Sequence, residues 1–397
     1  MTAQLAPAPI PTAAWLRDPL AEYRQGDFLM SGTAGSVLGR GTETLRMDAS
    51  NSRDVLAAHF GAASQRPAIA GVLPFQPGKS GEFLVMDTTL RGPRLARPAS
   101  KAGAVQGTSA LGTAIRGQRG GTPMAPQAAD GHYTDAVAAA LKKFSPSGLQ
   151  KVVLARSRSA ALPAPLDITA LLARLLGQNP SAYVFAAPLP GNKTLVGASP
   201  ELLIRRSGTL ALSNPLAGSV PRCADPVQDA ANAQTLLRSV KDLHEHAIVV
   251  DMVAGVMGGL CHDLVVPPRP ELVRTDSMWH LSTKLQGRLR DPETTSLDLA
   301  FALHPTPAVC GWPTQMACEL IEELEESARG FYAGAVGWTD AAGDGEWAVS
   351  IRCAEVSNDG VRVHAGAGIV PGSDPQLELA ETEAKFRTIL AGLGVAP

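Results

Sequence analysis

The chain has five cysteines in 397 residues and no C-x-x-C pair among them. Cys223, Cys261, Cys310, Cys318 and Cys353 therefore read as buried thiols in a reducing compartment, not as a disulfide framework or a thiolate metal site. The segment "MTAQLAPAPIPTAAWLRDPL" lacks a basic n-region and an unbroken apolar stretch, so no signal peptide is expected. The most apolar run, "AIVVDMVAGVMGGL", is interrupted by Asp251 and is shorter than the ~20 residues that span a bilayer. A formal net charge of −2 leaves no electrostatic case for nucleic-acid or membrane partners. A cytoplasmic protein acting on a small molecule is the expectation. Zinc signatures such as H-E-x-x-H are missing, so His244, His246 and His262 read as solvated or structural. Gly366, Gly368 and Gly372 depart from the G-x-G-x-x-G order of a dinucleotide turn.

The chain does have ample core-forming material, 45% hydrophobic residues with only 5% aromatic. Short strand-like pieces such as "AIAGVLPF" and "EFLVMD" occupy the first 90 residues, followed by a basic, Gly/Pro/Ala-rich stretch at about 91–130 that reads as a flexible loop. Arg91 to Arg119 has no interleaved aromatics, which argues against a single-strand nucleic-acid arm. Further on, "YTDAVAAALKKFSPSG" and "LDITALLARLLGQNP" read as helices, "LQKVVLARSRSA" as an alternating strand, and 229–260 as one long helix. Strands and helices come in blocks with hairpin signals between them, which predicts an α+β layer fold.

Several charged groups could carry chemistry. Asp374 and Pro375 make a good N-cap and first residue for a helix on which Glu378, Glu381 and Lys385 share a face. An ordinary i,i+4 ion pair between Glu381 and Lys385 is the plain reading of that stripe. Asp242 and Glu245 repeat the i,i+3 acid spacing on the 229–260 helix, and two such helices could clamp a hard cation such as Mg²⁺. Arg352 stands in strand-like "VSIRCAE", where a guanidinium between apolar residues suggests a meeting with an anion. Lys151 and Glu201 taken alone read as an edge lysine and a turn glutamate. Together these groups predict a small carboxylate held with Mg²⁺, on a floor of Arg352, Lys385 and a Gly366–Gly368 turn that leads into a helix N-terminus.

The motifs "KVVLARS", "GASPELLIRR", "NPLAGSVPR", "KDLHEH", "MWHLSTKLQGRL", "LHPTPAVCGWPT", "GFYAGAVGW", "SIRCAE" and "GAGIVPGSDPQLELAETEAKF" occur in this order. Their combination resembles the chorismate-utilising enzymes, and most closely the isochorismate synthases. The likeness runs from about Tyr133 to Leu393. It implies 131–397 as a chorismate-binding catalytic region and 1–130 as a more loosely matching part of the same fold, with two facing, largely antiparallel sheets and helices outside. It further implies that Lys151 activates a water and Glu201 protonates the departing hydroxyl. By the same likeness Glu245 and Glu381 are Mg²⁺ ligands, with Asp242 and Glu378 at accompanying acidic positions. Gly218, Ser219, His280, Thr306, Tyr332, Arg352, Gly366, Gly368 and Lys385 match pocket positions. In amine-transferring relatives a glutamine usually replaces Lys151, and some carry a lysine where this chain has Ala217, so the pattern is that of the water-using branches. Leu243 departs from the arginine common in "KDRxEH".

The implied activity is Mg²⁺-dependent conversion of chorismate to isochorismate, by water addition at C2 and loss of the C4 hydroxyl, feeding catechol siderophore synthesis. Salicylate synthesis with pyruvate elimination, isochorismate supply for menaquinone, and a catalytically silent chorismate-binding protein are the alternatives. For this chemistry Lys151 requires burial or a neighbouring cation to act as a base, and Glu201 requires an apolar wall to hold its proton. A monomer is expected, since no heptad pattern or spare apolar stripe is present.

Overall fold

The computed structural model describes residues 18–62, 68–95, 126–144, 148–162 and 164–394. Most of the loop expected at about 91–130 lies outside the described residues. Among the described residues, two nine-stranded sheets and one three-stranded sheet form the frame, and every strand pair with a defined register is antiparallel. The first sheet runs, in spatial order, Gly311–Trp312, Lys151–Ala161, Gly360–Ile369, Cys353–Val356, Lys193–Ser199, Tyr183–Leu189, Phe28–Gly32, Gly35–Arg40 and Thr88–Gly92. The second runs Cys261–Val265, Leu285–Leu289, Leu210–Asn214, Leu202–Ser207, Gly345–Val349, Ala335–Asp340, Ala68–Leu73, Gly81–Met86 and Thr44–Met47. Strands from before residue 95 complete both sheets.

Side-chain alternation divides the interior into two cores. Phe28, Met30, Phe185 and Ala187 of the first sheet join Ile69, Val72, Phe83 and Trp347 of the second in a core between the sheets. Leu29, Val184, Ala186 and Val196 point the other way, against the helices Ile168–Gln178 and Pro375–Gly392, where Leu171, Leu175, Phe386 and Ile389 cover them. With both faces of the first sheet buried, its strands read as continuous apolar runs. The clean alternation expected of "LQKVVLARSRSA" is accordingly confined to its second half, while Lys151 to Arg156 are all buried.

The helix expected over 229–260 is two helices, Pro226–Leu236 and Val240–Leu260. The break falls at Ser239, whose hydroxyl accepts the Asp242 N–H and caps the second helix; a serine that binds its own backbone in this way starts helices better than it continues them. By length and composition alone Val240–Leu260 could cross a bilayer. Here Ile248, Val249, Val253 and Met257 are buried, with Val249, Val253 and Met257 joining the inter-sheet core. "VSIRCAE" is likewise not one strand. Gly345–Val349 belongs to the second sheet and Cys353–Val356 to the first, and the chain crosses between them at Ser350 to Arg352.

Candidate active site

Two sheet-to-sheet crossovers make the site. The chain leaves the first sheet at Ser199 and enters the second at Leu202, passing through Pro200 and Glu201, and it returns through Ser350 to Arg352. The crossovers are laced together: Val349 N–H donates to Glu201 O (3.1 Å) and Ala198 N–H to Arg352 O (3.1 Å). A turn residue of unremarkable sequence is thereby sealed inside, with Glu201 only 2% exposed. Arg352 adopts φ +53°, a left-handed backbone that few non-glycine residues take, and is itself buried.

A cleft opens beside these crossovers. Of the residues singled out in the sequence, Glu201, Gly218, Ser219, Glu245, His280, Tyr332, Arg352, Gly366, Gly368, Glu381 and Lys385 line it. Lys151, Thr306, Asp242 and Glu378 are not on its wall. Lys151 is fully buried just behind, its Nζ 3.0 Å from Glu245 Oε1 at ion-pair distance but without hydrogen-bond alignment. The edge-lysine reading fails because the two-residue strand Gly311–Trp312 covers that side of Lys151. Thr306 is buried with its hydroxyl unpartnered, as is His280 Nε2. Orphaned polar atoms inside a protein are costly unless something fills their bonding capacity, and here His280 and Thr306 supply two.

Gly366 and Gly368 are not in a turn; they lie within the strand Gly360–Ile369, opposite Ala155 and Val153. A Cβ on Gly368 would come 2.2 Å from Glu245 Oε1 and 3.1 Å from Lys151 Cε, so any larger residue displaces the acid or the lysine. Gly218, at φ +77°, is also crowded: a Cβ there would come 3.0 Å from Asp242 Cβ. The helix N-terminus expected to receive an anion is already closed. Asp374 accepts from the N–H groups of Gln376 and Leu377.

The acids are each held by a neighbour. Ser219 Oγ donates to Glu381 Oε1 (2.8 Å), and Lys385 pairs with Glu381 (2.6 Å) while donating to Gly366 O (2.9 Å). The plain ion-pair reading of the C-terminal helix is thus present inside the site. Lys241, which sequence reasoning passed over, takes Glu378 at 2.6 Å; its place one residue before Asp242 was the only available signal. His246 is structural, donating Nδ1–H to Ala217 O (3.1 Å) and accepting at Nε2 from the Thr283 hydroxyl (2.7 Å). Burial holds it neutral, with its pKa down at about 4. Among the described residues no three acids gather into a ready-made metal cage.

Electrostatics separate the carboxyls. Burial pushes Glu201 up to about 7, opposed by the Leu216 N–H and Lys151. Burial also raises Glu378, with Glu381 adding to it. Glu381 itself is desolvated, yet Lys385 and the Ser219 hydroxyl hold it below the ordinary glutamate value. His280 is driven well below the usual histidine range by burial and by the charges of Arg352 and Lys385. One proton-holding acid, one firmly ionised acid and a neutral imidazole therefore share a cleft with two cations. That arrangement can bind a carboxylate-bearing ligand and give it a proton.

The family model for chorismate binding enzymes matches residues 116–394. The chain belongs to the chorismate-binding enzyme family. Its α+β fold of antiparallel sheets agrees with that membership, and an enzyme whose substrate is chorismate follows from it. Over 392 residues it is 41% identical to the isochorismate synthase DhbC of Bacillus subtilis, covering 95% of this chain and 96% of that one. Over 382 residues it is 45% identical to MenF of Mycobacterium tuberculosis, covering 93% and 96%. The crystal structure of DhbC from Bacillus anthracis superposes with a TM-score of 0.87 at 38% identity, covering 95% of this chain and 99% of that one.

Proposed function

We infer that this protein is an isochorismate synthase, interconverting chorismate and isochorismate. The observation that carries the reading is a buried Glu201 on the cleft wall whose pKa lies at about 7, with a fully buried Lys151 just behind that wall, beside Glu245. Isomerisation needs a base to take a proton from water as its oxygen bonds to C2. It also needs an acid to protonate the C4 hydroxyl as the C4–O bond breaks and the ring electrons shift between them. Lys151 takes the first proton and Glu201 gives the second, so one water enters, one leaves and the substrate formula is unchanged. Arg352, Lys385 and His280 bind and orient the carboxylates, while burial of Thr306 and Tyr332 keeps bulk water from competing.

The donor set fits Mg²⁺. Glu245 and Glu381 present carboxylate oxygens to the cleft, and a magnesium site asks for one or two carboxylates, with waters and substrate oxygens supplying the rest. Glu378 and Asp242 stand behind as supporting acids. When bound, the ion would neutralise a substrate carboxylate and withdraw electron density from the ring. The absence of a heptad pattern or spare apolar stripe suits a monomer, and the small-molecule reaction suits the cytoplasm. Relatives bearing the DhbC and the MenF names are similar to this chain at 41% and 45%, so siderophore and menaquinone supply both fit.

Incubation with chorismate, with and without Mg²⁺, followed by chromatography tests the reading. Isochorismate in a metal-dependent equilibrium with chorismate is expected, and chelation with EDTA should abolish it. Salicylate with pyruvate would place the protein in the lyase branch, and unaltered chorismate would leave only binding. Glu381→Ala should raise the Mg²⁺ concentration needed for half-maximal turnover by tenfold or more, about 1.4 kcal/mol in metal binding. An unchanged metal dependence would remove Glu381 from the ligand set.

A further inference from the structure

Cys310 and Cys318 lie with their sulfurs 3.3 Å apart, in van der Waals contact. Neither takes part in the chemistry proposed above. Cys310 is fully buried in the loop that precedes Gly311–Trp312, whereas Cys318 is partly exposed on the helix Thr314–Leu324. We propose that this pair is a modification site: peroxide converts it to a reversible disulfide that strains the strand carrying Lys151. The second half of this proposal rests on the reading of Lys151 as the base.

The chemistry closes with peroxide as the only co-reactant. Cys318 is the nucleophile, since it is the more accessible sulfur. Its thiolate attacks one peroxide oxygen; the O–O bond breaks, and the departing hydroxide takes a proton to leave as water. The sulfenic acid formed at Cys318 is then attacked by the Cys310 sulfur, the S–O bond breaks and a second water leaves. Two thiols and one peroxide give one disulfide and two waters. The contact with Cys310 also holds the Cys318 thiol below its ordinary value, which favours the first attack. Cys223, the other partly exposed thiol, serves as an internal comparison.

The surroundings leave little slack. Bond formation must bring the sulfurs from 3.3 Å to about 2.05 Å. Cys310 O accepts from Val153 N–H (2.7 Å), and Gly311 pairs with Val152 and Trp312 with Lys151. A Cβ on Gly311 would meet Lys151 O at 2.2 Å and Ala317 Cβ at 2.7 Å, so this helix and the Lys151 strand are pressed together at the point where the sulfurs would be joined. Val153 also lines the cleft. Displacement of the base by a fraction of an ångström is enough to slow proton transfer.

The test treats the full-length protein with hydrogen peroxide, blocks remaining thiols with iodoacetamide and maps peptides by mass spectrometry. A peptide pair joined through Cys310 and Cys318 is expected, with free thiols falling from five to three and returning on addition of dithiothreitol. Chorismate turnover should fall on the order of tenfold in the oxidised protein and recover with the thiols. Cys318→Ser should keep basal turnover and lose the peroxide response. Over-oxidised Cys318 beside a free Cys310, or Cys223 reacting first, would overturn the site. A cross-link that leaves turnover unchanged would overturn its coupling to Lys151. Because the cross-link is read by mass, it stands or falls separately from the isochorismate synthase reading.

Discussion

Glu201→Gln is expected to lower kcat by a factor of about 10²–10⁴, the usual contribution of a positioned acid, while making the folded protein relatively more stable in alkaline solution. Both effects have one cause. The Glu201 carboxyl is buried with a pKa of about 7, against an ordinary 4.5. Between those values the folded state holds a proton that the unfolded chain has lost, so stability declines as pH rises through the window. The total is roughly 3 kcal/mol for a shift of that size. Glutamine cannot ionise and can still accept the Leu216 N–H, so the variant escapes this decline. Urea unfolding at about pH 4 and about pH 8 should show the stability difference between variant and parent growing by roughly 3 kcal/mol in favour of glutamine. The same titration sets the parent's activity profile: kcat/KM should fall about tenfold per unit above pH ~7 as the acid loses its proton. A difference in stability that does not change with pH would mean that Glu201 is ionised in the fold, and the acid role would go with it.

Lys151→Ala should be as damaging to turnover, by about 10²–10⁴, and should also weaken the fold. It removes the proposed base and leaves Glu245 in a buried position without its ion-pair partner 3.0 Å away. Breaking a buried pair from one side costs up to roughly 3–5 kcal/mol, so thermal unfolding should move down by several degrees while circular dichroism at room temperature stays that of the parent. Lys151→Met separates the two effects, because its unbranched side chain fills most of the space without supplying a base. Small primary amines should restore part of the turnover to the alanine variant, through the void, and none to the methionine variant. Normal kcat in either variant would remove Lys151 from the mechanism.

Much of the site was legible in the sequence. The cap at Asp374 and Pro375, the shared face of Glu378, Glu381 and Lys385, and the i,i+3 acids Asp242 and Glu245 follow from helical periodicity, which is local. Lys151 and Glu201 gave no such signal and rose above an edge lysine and a turn glutamate only through the ordered family motifs. The reading of Gly366 and Gly368 as an anion-binding turn failed because glycines in a strand and in a turn look alike until a neighbour shows why a Cβ is excluded. In this fold those neighbours are Glu245 and Lys151 at Gly368 and Leu154 and Ala155 at Gly366, all more than a hundred residues away in the chain. The single helix over 229–260 failed more simply, on the cap formed by Ser239.

By itself the sequence determined which segments have strand or helix periodicity, which acids share a helix face, and, through its motifs, the family. Those are properties of neighbouring residues and of their order. Only the tertiary structure decided that the chain changes sheets at Pro200–Glu201 and again at Ser350–Arg352, bringing a buried acid and a strained arginine to one cleft with a buried lysine just behind it. Proton affinity depends on how much water a group has lost and which charges face it, and both are set by residues distant in the chain. The carboxyl that keeps its proton and the one that stays ionised are chemically the same in sequence, and burial and a partnering lysine make them different.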